Sequence, residues 1–159
     1  MVHTRQSQRQ AKQSLDEKLE LSSPSRQLLE NLTQQCASNP SPDNTFQYAF
    51  CLSKSKNPDE LQYAIKILDS LLKEGYNHQM HYVHGFTTTA YLLGNYYEAR
   101  EQCEPILHSE PDDSGTVELH LVHIEAIVVL EEKRIRNVLL LRVLRLLLLI
   151  LLLELLVWF

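Results

Sequence analysis

Glycine and proline are scarce in this chain, four and six among 159 residues, and aromatic residues make up only 8%. Such a shortage argues against a sandwich or barrel, whose many corners need Gly, Asn and Pro. Cysteine is thin as well: Cys36, Cys51 and Cys103 stand far apart, with no C-x-x-C pair. An odd, scattered set reads as reduced thiols on apolar helix faces rather than a disulfide framework or zinc site. The chain has no Gly-rich phosphate loop, no G-x-S-x-G and no H-E-x-x-H. Phosphate-cradling, acyl-transfer and zinc-hydrolase chemistry therefore have no visible residues, and neither a catalytic residue nor a cofactor is expected. Residues 1–14 hold almost nothing apolar, so no signal peptide is expected there.

Basic charge is missing from the body of the chain. Residues 1–15 carry +3, residues 16–132 carry 19 acids against 7 bases, and residues 133–159 carry +4, giving the net −5. An acidic body lacks the basic face that nucleic-acid binding needs. The length fits one domain plus tails.

What is present is helical periodicity. Ala64-x3-Leu68-x2-Leu71-Leu72 returns 35 positions later as Ala99-x3-Cys103-x2-Ile106-Leu107, and Pro111 follows where such a unit closes. A period near 34 residues, with a small residue followed four later by an apolar one, resembles the tetratricopeptide (TPR) repeat. The small residue lets two helices cross closely, and the apolar ones fill the groove left by the crossing. The copies are degenerate, with Leu52, Ser55, Thr87 and Ala90 at positions where the repeat prefers Gly or Tyr. Ordinary antiparallel helices remain the alternative.

In chain order, residues 1–22 read as a flexible arm with at most a short helical turn capped at Ser14-x-x-Glu17. Ser23-Pro24 signals a helix start, and Leu28, Leu29, Leu32 and Cys36 give that helix its apolar stripe. Helices are then expected over about 44–56, from Asn57-Pro58 to Gly75, from an Asn77 cap to Gly94, and from an Asn95 cap to the residue before Glu110-Pro111. In the second of these, Leu61, Ala64, Ile65, Leu68, Leu71 and Leu72 are expected to be buried. A last helix starts at Asp112-Asp113-Ser114, its acids favourable at the positive dipole end, and carries the stripe Val117, Leu121, Ile124 and Val128. The expected fold is all-α, a six-helix bundle with two tandem TPR-like hairpins over 23–132, plus a C-terminal apolar helix.

That final helix, 138–159, holds thirteen Leu in 22 residues, interrupted by Arg142, Arg145 and Glu154. As a helix it spans roughly 33 Å, about a bilayer's hydrocarbon core. Eighteen strongly apolar side chains favour insertion by about 7 kcal/mol, and each central ion opposes it by roughly 2.5–3.5 kcal/mol, less when it snorkels. The balance lies near zero or slightly in favour. The five bases of 133–145 precede the Leu run, so the expected reading is a C-terminal anchor with the domain left cytosolic. Burial against a partner or in a homo-oligomer is the alternative.

Histidines recur at 78, 81 and 84, and at 120 and 123. Paired His on one helix face can bind zinc, but a site also needs a third or fourth ligand and second-shell support, and no H-E-x-x-H or Cys pair stands nearby, so they read as surface or groove residues with no metal. In a TPR hairpin the first helix turns four positions toward the concave face. Here they are Phe46, Ala49, Ser53 and Lys56, then His81, His84, Thr88 and Tyr91. Such a mixture suits a bound peptide, and it equally suits packing against the chain's own first helix or arm.

The run Phe46-Gln47-Tyr48-Ala49-Phe50-Cys51-Leu52-x-Lys54-Ser55-Lys56 continues through Ala64-Ile65-x2-Leu68-x2-Leu71-Leu72, Tyr82-Val83, Leu93-Gly94-x-Tyr96-x2-Ala99 and Glu110-Pro111. Over about residues 44–120 it resembles the mitochondrial fission 1 family. The resemblance implies two TPR-like repeats facing the cytosol and a tail anchor in the mitochondrial outer membrane, often also the peroxisomal one. It further implies a non-enzymatic adaptor that recruits a dynamin-related GTPase, directly or through adaptor proteins. In the family an N-terminal arm can fold over the groove, a role that falls here to residues 1–22. The tail departs from the family: it is Leu-rich and carries no base after Arg145, which opens the endoplasmic reticulum as a destination. The other functional class that fits is a soluble TPR module, such as a co-chaperone gripping acidic C-termini through Lys56.

Overall fold

The computed structural model describes residues 4–76 and 78–158, with side chains to Ile150. The described residues form seven helices: α1 Arg5–Leu21, α2 Arg26–Ser38, α3 Pro42–Leu52, α4 Pro58–Lys73, α5 Gln79–Leu93, α6 Tyr96–Ser109 and α7 Ser114–Trp158. They divide into two units, Met1–Glu125 and Ala126–Phe159.

In the first unit, α2 packs on α3, α3 on α4, α4 on α5 and α5 on α6. The repeated motif sits where its spacing places it. Ala64 and Ala99 are both 0% exposed, and their followers Leu68, Leu71, Cys103 and Ile106 are buried too. Leu72 does not join them and stands half-exposed. Successive helical residues point about 100° apart, so adjacent Leu71 and Leu72 cannot both face α5. Likewise only Leu29 of the expected α2 stripe is buried, where it meets Leu52 and Ala64.

α5 is enclosed on nearly every side, with Tyr82, Val83 and Gly85 through Tyr91 all buried. Gly85 makes this enclosure fit: a Cβ there would lie 3.3 Å from Leu68 Cδ1 and 3.5 Å from Phe50 Cδ2. The buried hydroxyls of Thr87 and Thr89 donate back to the carbonyls of Val83 and Gly85, both at 2.7 Å, so no polar group in the helix interior is stranded.

The caps follow the sequence at some ends and depart at others. Asn57 accepts from the Asp59 N–H with Pro58 at the first position, as its spelling implies. Gly75 and Gly94 end helices in the left-handed region, at φ 83° and 82°. The first start signal shifts to Ser25, which accepts from the Leu28 N–H, leaving Pro24 outside the helix. α3 begins at Pro42 after a Ser41 cap rather than at residue 44. Asn95 precedes α6 with no side-chain cap bond, and Asn77 lies outside the described residues.

Two larger differences concern α1 and α7. The segment read as an arm with a short turn is helical from Arg5 to Leu21, and its cap is Thr4, not Ser14. In α7 the packed face runs through Thr116, Leu119, Val122 and His123; of the expected stripe Leu121 is buried, while Val117, Ile124 and Val128 are only half-buried. Thr116 and His123 carry much of that face, so a search for apolar spacing alone finds Leu121 and misses the polar positions.

The second unit is described to Ile150 by side chain. Leu139, Leu144 and Ile150 are typical of it, each more than half-exposed. Among the described residues no helix is long and apolar enough to cross a membrane. Arg142 and Arg145 interrupt the described part, and residues 151–159 of the expected anchor lie outside the described side chains.

Candidate functional site

The candidate groove is lined by α3 and α5, and its eight expected residues fall into distinct settings. Phe46 is the hub of an aromatic group, its ring centroid 5.6 Å from Phe50, 5.4 Å from Tyr76 and 5.6 Å from His81. His78 extends the group, 5.3 Å from His81, and Lys54 Nζ sits 4.3 Å above the Phe50 ring. His81 is exposed, so this end offers aromatic edges to solvent.

Ala49 and Ser53 are wholly buried and form floor rather than lining; the Ser53 hydroxyl donates to the Phe50 carbonyl at 2.7 Å. Lys56 is exposed in the turn after α3, beside an open cleft of about 490 Å³ that also meets Leu19, Glu20 and Leu92. His84 leans toward the start of α7, its Nε2 3.4 Å from Thr116 Oγ1 and 3.8 Å from Asp113 Oδ2. Asp113 caps that helix by accepting from the Thr116 N–H at 2.7 Å. Its bonds to Thr116, with a smaller pull from His84, hold its carboxyl below the usual range. Gly115 leaves room for the His84 ring, since a Cβ there would stand 2.6 Å from Cε1.

Thr88 and Tyr91 are buried, and Tyr91 is held by α1. Its hydroxyl donates to Asp16 Oδ1 at 2.6 Å, and Lys12 Nζ lies 5.7 Å from its ring centroid. Burial, with the Asp16 carboxylate beside it, pushes the phenol up to about 12. For Lys12 burial works downward, yet its bonds to Asp16 and Tyr91 outweigh it and hold the ammonium above its ordinary value. α1 continues to α7: Lys18 meets Glu118 at 2.7 Å, while Arg5 and Arg9 lie 3.6 and 3.4 Å from the two oxygens of Glu125.

The eight positions are therefore not one continuous lining. Phe46 and His81 share the open aromatic end, His84 belongs to the α7 junction, and Tyr91 lies under α1. Sequence reasoning passed over Phe50 and Tyr76 as lining residues and Asp16, Glu118 and Glu125 as α1 contacts. The signal for the ionic set was the opposite charge of residues 1–15 and the body. Among the described residues no group of three or more His, Cys, Asp or Glu side chains could hold a metal ion. The Cys103 thiol, buried and pushed up to about 12 chiefly by desolvation, stays protonated and unreactive.

A family model described as the Fis1 N-terminal tetratricopeptide repeat matches residues 43–75, which cover α3 and α4. The mitochondrial fission 1 protein of Rattus norvegicus is 32% identical over 88 residues, 55% of this chain and 58% of that protein. That of Homo sapiens is 31% identical over the same extent, and that of Yarrowia lipolytica 30% identical over 77 residues, 48% of this chain and 50% of its own. The chain thus spans between half and three fifths of the length of these relatives.

Among solved structures, the fission protein Fis1 of Saccharomyces cerevisiae superposes with a TM-score of 0.66 at 24% identity, covering 74% of this chain and 95% of that one. Yeast Fis1 bound to an Mdv1 fragment containing its N-terminal extension and coiled-coil domains gives 0.62 at 23% identity, over 72% and 94%. In the sequence of its first hairpin and in its helical fold, this chain resembles the mitochondrial fission 1 proteins.

Proposed function

We propose that this protein is a non-enzymatic adaptor for organelle fission. Its helical unit offers the α3–α5 groove to a partner, and its tail, 138–159, anchors it in a membrane. The observation that carries the reading is a coincidence of place. The fission-type repeat, 43–75, is the hairpin that supplies Phe46, Ala49, Ser53 and Lys56. Yeast Fis1, which has the same fold, is known bound to an Mdv1 fragment. A like occupant here is an adaptor protein, or the dynamin-related GTPase that fission requires. The anchor is supported by the exposed leucines of the second unit, a surface too apolar to remain in water uncovered. Its membrane is the mitochondrial outer membrane with the groove facing the cytosol. The peroxisomal membrane is a second site, and the Leu-rich composition favours the endoplasmic reticulum as the competing destination.

Expression in cells lacking their own fission 1 protein tests this directly. The full chain should restore mitochondrial division, and a chain ending at Asn137 should not, because it stays off the membrane. A full chain that reaches mitochondria and leaves the network undivided overturns the adaptor reading. A full chain that stays in the supernatant after carbonate extraction overturns the anchor.

A further inference from the structure

α6 ends at Ser109 on a weakly held turn. Pro105 lies inside the helix and has no N–H, so its last turn begins one backbone bond short. Ser109 is exposed, and its hydroxyl donates locally, to the carbonyls of Ile106 at 3.1 Å and Pro105 at 3.4 Å. Of the four residues that follow it, Glu110, Asp112 and Asp113 are acidic, a denser run than follows any other serine or threonine in the chain. Ser14 comes next, with Asp16 and Glu17 behind it, but it is half-buried in the middle of α1. An enzyme that modifies a side chain needs the backbone around it extended. Glu110, Pro111 and Asp112 are exposed and non-helical already, and a helix end frays more easily than a helix middle.

We propose that Ser109 is a phosphorylation site for an acid-directed serine/threonine kinase, and that His78 and His81 receive the phosphate. The two histidines share with Ser109, Glu110 and Ile106 an open cleft of about 390 Å³. Both imidazoles are exposed, and their ring centroids lie 5.3 Å apart. In the transfer, the Ser109 oxygen forms a bond to the γ-phosphorus of ATP and the bond from that phosphorus to the bridging oxygen breaks. ADP leaves, and the hydroxyl proton passes to the kinase's base. The new group carries a charge of about −2 and three acceptor oxygens. The negative end of the α6 dipole and the Glu110 carboxylate push it away from its own helix. The imidazoles lining the same cleft offer it charge-assisted hydrogen bonds. Phosphorylation thus makes the aromatic end of the groove, where His81 meets Phe46, strongly anionic. The site goes beyond the adaptor reading and stands without it.

The test uses the full chain in detergent, incubated with ATP, magnesium and a purified acid-directed kinase, with the phosphate mapped by mass spectrometry. Ser109 should take up phosphate about tenfold faster than Ser14, because less structure has to open, and Ser109→Ala should remove that phosphate. Glu110→Gln/Asp112→Asn should slow transfer to Ser109 about tenfold through two lost charge contacts with the kinase. Asp113 is kept, since it caps α7. Phosphorus NMR reads the receiving pair. The phosphate should lose its last proton at lower pH in the phosphorylated wild-type chain than in a phosphorylated His78→Gln/His81→Gln chain. Failure of Ser109 to take up phosphate in a chain with native circular dichroism, faster uptake at Ser14, or a rate indifferent to Glu110 and Asp112 overturns the site. Identical phosphate titrations in the two chains overturn the role given to the histidines.

Discussion

Mild acid should weaken this protein through a single side chain, His123. The imidazole is 0% exposed on α7, neither ring nitrogen has a hydrogen-bond partner, and its centroid lies 5.9 Å from that of Tyr91. Burial, with a smaller push from His120, brings its pKa from 6.5 down to about 4. The unfolded chain therefore takes up a proton near 6.5, whereas the folded chain refuses it until about 4. A base depressed in this way contributes fully above pH 6.5, and its contribution is lost as pH falls from there to 4. The whole difference, about 2.5 pH units at about 1.36 kcal/mol each, is on the order of 3 kcal/mol. Between pH 7 and pH 5 the loss is about 2 kcal/mol by the same linkage. His123→Phe keeps an aromatic ring beside Tyr91 and removes both unbonded nitrogens. Urea unfolding followed by circular dichroism at pH 7, 6 and 5 isolates the effect as the difference between the two proteins. His123→Phe should match or exceed the wild-type stability at pH 7 and lead it by about 2 kcal/mol more at pH 5. Parallel losses in the two proteins would refute the reasoning.

The α7 junction and the caps give further tests. Gly115→Ala drives a methyl into the His84 ring, which is part-exposed and can swing away. The expected cost is about 1 kcal/mol in thermal unfolding, with no added cost in a His84→Ala background. Asn57→Ala removes the acceptor of the Asp59 N–H and should cost about 1 kcal/mol, read as a fall in the urea midpoint with an unchanged slope.

Much of the helical plan was legible because it is written in local rules. Ala64 and Ala99 announce close crossings by size alone, Asn57-Pro58 spells its cap, and Gly75 and Gly94 mark stops that a Cβ would strain. What escaped was polar and distant. Thr87, Thr89, Thr116 and His123 are interior residues that any hydrophobic count sends to the surface. The threonines can be inside because each bonds within its own helix or at a neighbouring end, a pairing visible only once the backbone is placed. His123 spells a surface or groove histidine, and nothing in its sequence neighbourhood marks it as enclosed. The seating of α1 depends on Arg9 finding Glu125 across 116 positions, and periodicity within one helix carries no trace of such a match.

The near absence of grease beneath α1 sets how often it lifts. Exposing Leu15 costs roughly 1.5–3 kcal/mol, the exposed Lys18–Glu118 pair adds at most about 1 kcal/mol, and the Tyr91–Asp16 bond and the pairs to buried Glu125 add to both. A helix held by so few contacts is expected to open before the bundle melts, seen as faster amide exchange along α1 than along α5. Because such opening would uncover charge more than grease, it gives the chain little cause to clump.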